Sequence, residues 1–229
     1  MTTPEHRTSA RQCERIGFSS IVTLAVAALL DILTAESLSM TNHVPPALIH
    51  LLRAMDRYSS PCAFLSCGIA TVIWLFGWRG FFAWFDVTLA LSIVALVNNL
   101  AGLIVSIFDP KASAGFLLLS ASLVYLENIT VFVAYYWRFD HKFQDRIVAG
   151  EKVHPAVMFP QNTLPMDSMR GWRPQFMDYL FLSFNTASTF GPTLPIPLRA
   201  SMQIGMMAQV GIAMAVLIMI AARAIGLIG

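Results

Sequence analysis

Along the chain, long apolar runs alternate with short polar blocks. Before residue 140, four runs reach the ~20 residues that a membrane-spanning helix needs. They are 17–38, 61–78, 84–108 and 114–136. The first is interrupted by Asp31 and Glu36, the third holds Asn98 and Asn99, and the fourth holds Glu127 and Asn128. The third and fourth are joined by the turn Asp109-Pro110-Lys111, so they are expected to pack antiparallel. That brings Asn98/Asn99, about ten residues before the turn, and Glu127/Asn128, about sixteen after it, toward similar depths. Between the first two runs, 44–57 sets apolar residues at 48, 49, 51, 52 and 55 opposite Arg53, Asp56 and Arg57, the pattern of a short interfacial helix.

After residue 136 the pattern changes. Segment 137–175 is polar, basic and Pro-containing, and reads as the one long extramembrane segment. Segment 176–190 is apolar again but studded with Ser, Thr and Asn. Pro192, Pro195 and Pro197 then forbid a helix interior, and 201–228 is the last span. The expected fold is all-α: a polytopic transmembrane bundle of five to six spans. Its segments are a cytoplasmic 1–16, a four-helix region 17–136, the polar 137–175 and a hairpin 176–229. For 176–193 three readings stand open: a short or broken fifth span, a hairpin re-entering from inside, or an orientation that the charge count misjudges. The first is preferred, giving six crossings with both ends inside.

Composition narrows the class. Only 12% of the 229 residues are charged and 56% are apolar, against about 25% charged in soluble domains. A soluble enzyme and a disordered chain are excluded. A formal net charge of +2 offers no basic surface for nucleic acid. With the N-terminus inside, Arg7, Arg11, Arg15, Arg79 and six basic residues of 137–175 fall inside, against Arg53, Arg57 and Lys111 outside, as cytoplasmic loops require. Trp78, Trp84, Tyr135, Tyr136 and Trp137 fall at span ends and read as an interfacial belt. The stretch 16–30, with Ala25-Val26-Ala27, looks like a secretory leader, but its apolar character continues to about Met40, which favours an uncleaved anchor. Cys13, Cys62 and Cys67 set no disulfide framework, and five scattered histidines set no metal site. No cofactor or metal is expected. No catalytic motif appears, so an enzyme is not expected.

Two groups of residues carry chemistry. Carboxyls inside a membrane are expensive and are candidate functional groups by default. Glu127, with Asn128, Asn98 and Asn99, is therefore a candidate polar site, or alternatively interhelical glue. Asp31 and Glu36 are expected near the outer interface with no special role. The second group is Asp178-Tyr179-Leu180-Phe181-Leu182-Ser183-Phe184-Asn185-Thr186-Ala187-Ser188-Thr189-Phe190-Gly191-Pro192-Thr193. It resembles the pore helix and filter entry of tetrameric potassium channels, whose motif is Thr-x-x-Thr-x-Gly-Tyr-Gly-Asp. Thr186, Thr189 and Gly191 match its first fixed positions, whereas Pro192, Thr193 and Leu194 replace Tyr, Gly and Asp. Proline fixes φ and Thr disfavours positive φ, so the usual carbonyl ladder does not form there.

Tyr136-Trp137-Arg138-Phe139-Asp140, Phe159-Pro160-Gln161, Phe176-x-Asp178-Tyr179-Leu180 and Ala221-Ala222-Arg223-Ala224-Ile225 are together similar to a group of bacterial multi-pass membrane proteins. The C-terminal part of that group resembles a degenerate two-helix channel pore, and the likeness covers about residues 114–229. It implies a channel-like pore with an altered filter in a bacterial inner membrane, built as a homo-oligomer, a tetramer, and passing a monovalent cation. On that reading Thr186, Thr189, Gly191 and Thr193 line the narrow part, Asp178 anchors the pore helix, and Gly205 or Gly211 lets the inner helix bend. The alternatives are a non-conducting scaffold or accessory protein, and a small secondary transporter using Glu127.

Overall fold

The computed structural model describes residues 4–37, 46–76, 80–108, 113–163, 172–191 and 194–225. It is an all-α bundle. Helices α1 (Pro4–Ser37), α2 (Pro46–Leu75), α3 (Phe81–Ile107) and α4 (Ala114–Val148) come first. A two-residue strand β1 (Val157–Met158) precedes α5 (Phe176–Thr189), and β2 (Ile196–Pro197) precedes α6 (Ala200–Ile225). All but α5 are long and apolar enough to cross a membrane. This is the fold of an integral membrane protein. Helix formation pairs most backbone N–H and C=O groups of these stretches within the stretch itself, the economical solution for an apolar run in lipid.

Neighbouring helices run in alternating directions. At one end of the bundle, Gly17 of α1 sits against Trp137 of α4 and Trp74 of α2. There the Phe18 and Trp74 rings lie 5.0 Å apart, and Phe85 of α3 meets Trp137 edge-on at 5.1 Å. Arg138 of α4 pairs with Asp86 of α3 at 2.7 Å. We call this the latch end. At the opposite end, Leu103 and Ile107 of α3 and Leu117 and Ala121 of α4 line a small cleft with Met219 and Ile220 of α6. The core between is Leu24, Ala27, Leu96, Val124, Val131 and Met206 among others.

Four local readings change. Residues 46–75 form one helix rather than an interfacial helix followed by a span, with Pro61 accommodated inside it. Helix α4 continues past Tyr136 to Val148, so the polar segment begins as helix. Tyr136 and Trp137 are buried rather than facing an interface: the helices of the latch end close over them. Helix α1 reaches back to Pro4, while Trp78, Arg79, Lys111 and Arg170 lie outside the described residues.

Candidate functional site

Two features could carry chemistry, the segment around α5 and the buried polar groups of α1, α3 and α4. Helix α5 buries one stripe, Tyr179, Leu182, Ser183, Thr186 and Ala187, spaced as one helix face requires. Asp178 lies in its first turn and accepts the Gln175 N–H at 2.6 Å, half of a capping box. Partial burial pushes the Asp178 carboxyl up from its ordinary range, and that N–H offsets part of the shift. At the other end Phe190 takes φ 59°, a left-handed cap that turns the chain back.

The return is fixed by β1 and β2. Val157 pairs with Pro197, and Met158 with Ile196. Tyr179, at the start of α5, donates its hydroxyl to Asp140 of α4 at 2.8 Å. Both the entry to α5 and the exit from 190–196 therefore sit at the latch end. Fourteen residues of helix reach about 21 Å, short of the ~30 Å apolar thickness of a bilayer. The β1–β2 pair ties the exit beside the entry, so α5 and its return leave and rejoin the bundle at the same end.

The hairpin's polar groups are largely occupied. The Thr186 hydroxyl donates to Leu182 O at 2.8 Å. The Thr189 hydroxyl lies 2.6 Å from Asn185 O and 2.7 Å from Gly191 O and is exposed. Thr193 lies outside the described residues. Ser183 donates to Ile129 O of α4 at 2.8 Å. The amide of Gln209 in α6 donates to Ser183 O and Ser183 Oγ at 3.0 and 2.8 Å, and its Oε1 accepts the Tyr136 hydroxyl at 2.6 Å. Asn128 Nδ2 donates to Gln209 O at 3.2 Å. Gln209 thus joins α4, α5 and α6. Sequence reasoning missed it, although a lone amide midway along an apolar run was there to be noticed. Gly205 is a close-approach point: a Cβ there would collide with the Tyr135 ring. Gly211 has open space.

Deeper in the bundle, three helices converge on one amide. Asn99 Nδ2 of α3 donates to Asp31 Oδ1 of α1 at 2.7 Å and to Glu127 Oε2 of α4 at 2.8 Å. Asp31 and Glu127 are each 1% exposed, and Asn99 is fully buried. Glu127 lies ten residues from Trp137, about 15 Å along the helix. The structure brings Asn99 and Glu127 together and buries Asn98 as well. It also moves Asp31 from the expected interface into the cluster, because α1 packs lengthwise on α4. The side chain of Glu36 lies outside the described residues.

Asp140 is the third buried carboxyl. Its Oδ1 accepts the N–H groups of Ala156 and Val157 at 2.7 and 3.2 Å. Its Oδ2 accepts Tyr179 at 2.8 Å and Gln144 at 2.9 Å. It holds β1 and α5 onto α4. Among the described residues no three or more His, Cys, Asp or Glu side chains gather as a metal site. Set against known proteins, the chain matches no family profile, no curated protein and no solved structure.

Proposed function

We propose that the protein is a multi-pass protein of a bacterial inner membrane whose α5 hairpin and α6 form the pore element of a homotetrameric, channel-like assembly passing a monovalent cation. The observation that carries this reading is the β1–β2 pair, which returns the chain to the end where α5 began. A short helix, a left-handed turn at Phe190 and a return to the starting end, followed by a long helix, is a geometry that can offer backbone oxygens to an ion at membrane depth. One copy cannot surround an ion. Helix α6 turns Ile204, Met207 and Ile218 outward, which leaves apolar surface for further copies. Gln209, Ser183 and Asn128 keep the hairpin attached to its own chain.

Native mass in lipid nanodiscs followed by cation flux in liposomes tests the proposal. A tetramer whose ion preference changes on Thr189→Ala or Gly191→Ala supports it. A monomer, or flux indifferent to both substitutions, overturns it.

The burial of Glu127 against Asn99 and Asp31 favours a second reading, a small proton-coupled transporter. There, Glu127→Gln abolishes pH-dependent flux, whereas it leaves a channel's conductance intact.

A further inference from the structure

Glu127 is a fully buried carboxyl whose side chain has one hydrogen-bond donor, the Asn99 amide, and shares it with a second acid, Asp31. Asn99 spends both of its N–H bonds on carboxyl oxygens. Its own Oδ1, equally buried, has no hydrogen-bond partner. A buried oxygen with no donor is destabilising, so the arrangement lacks one donor. A carboxylic O–H is such a donor, and it also removes a charge from the membrane interior.

We propose that Glu127 binds one exchangeable proton, and that Asn99 and Asp31 complete its site. With Glu127 ionised, the Asn99 amide bridges two acids and its oxygen is orphaned. With the proton bound, one bridging N–H is released, and the amide can turn its oxygen toward the new O–H. The step is a simple transfer of H+ from water to a Glu127 oxygen, with no redox partner.

The charged groups around the site are few. Along α1 from Gly17 they are Asp31 and Glu36, along α3 Asp86, and along α4 before Arg138 Glu127 alone. Helix α5 carries only Asp178, in its first turn, and α6 only Arg223, which lines the cleft with Leu103 and Ala121, about one helical turn along α3 from Asn99. Helix α2 runs antiparallel to α3, with Ser66 bonded to Thr88, so its Arg57 falls near the level of Asn99, with its side chain exposed. Arg53 and Asp56 are on the same part of α2, their side chains outside the described residues.

The inference holds under either functional reading, since it concerns occupancy and not flux. Infrared difference spectroscopy of the full chain in nanodiscs, titrated between acid and alkaline pH, tests it directly. The wild type should show a carboxylic C=O band that bleaches as pH rises. Glu127→Gln should remove that band, and Asn99→Leu should move its midpoint by about one pH unit, a tenfold change in proton affinity. If Glu127→Gln fails to fold, Glu127→Asp should shift the band's frequency and midpoint. No bleaching band in the wild type would overturn the proposal. So would a band that survives Glu127→Gln, or one lost with Asp31→Asn and unmoved by either Glu127 substitution.

Discussion

Glu127 and Asp140 lie on the same helix and are equally buried, yet they are held in opposite ways. Asp140 accepts four hydrogen bonds, two of them from backbone N–H groups that have fixed places in the fold. Glu127 accepts one, from an amide that also serves Asp31. A carboxyl whose lone pairs are filled by immovable donors is a structural tie: giving it a proton would break bonds already made. A carboxyl with one shared donor gains a bond when it takes a proton. The number and mobility of donors, rather than burial, separates a latch from an exchange site.

The sharpest way to break this contrast is Asp140→Ala. It orphans two backbone N–H groups and the Tyr179 hydroxyl, and should cost about 3 kcal/mol or more. Thermal unfolding in detergent should drop accordingly, and the loop 149–156 should become open to protease while the other helices stay protected. An unchanged melting profile would remove the latch. Next comes Gly205→Ala, which drives a methyl into a Tyr135 ring pinned by its hydroxyl bond to Ser201 O at 2.8 Å. The expected loss is about 2 kcal/mol, and a Gly205→Ala/Tyr135→Leu double variant should recover most of it in the same assay.

At the other site the effects should be smaller. Asn99→Leu removes the shared donor and should cost about 1–2 kcal/mol, more at alkaline pH than at acid pH because the ionised form needs the donor. Equal losses at both extremes would mean that Asn99 only packs. Glu127→Gln keeps an acceptor for Asn99 and should change stability by no more than about 0.6 kcal/mol, while the proton-linked signal disappears. A large loss there would make Glu127 a second latch and erase the distinction.

Much of this was legible in the sequence. The apolar runs located α1, α3, α4 and α6, and the short Asp109-Pro110-Lys111 turn put Asn99 and Glu127 at one level before any coordinates. Asp31 was not legible, because its level depends on how α1 slides along α4, two helices far apart in the chain with no short turn to set their register. The hairpin return was not legible either: β1 and β2 are two residues each, too short for any periodicity. Pro61 reads as a break, yet α2 continues through it. The polar tail of α4 reads as loop because its residues find partners only in the folded protein, Arg138 with Asp86 and Asp140 with β1. The amide of Gln209 was visible as a residue but not as a junction.

The aromatic packing of the latch end has an optical consequence. Trp74, Trp84, Trp137 and Trp172 are the tryptophans among the described residues, and all four belong to that end or to the polar segment beside it. Tryptophan emission therefore reports on the half of the molecule that holds Asp140 and the hairpin's entry. His141 stacks on Trp137 with centroids 5.3 Å apart, so the charge on one imidazole is read by one indole. Among the described residues, the half around the Met219–Ile220 cleft holds no tryptophan. A single intrinsic fluorophore set thus views the bundle from one side only, and quenchers confined to one leaflet will tell which face of the bilayer that side is on.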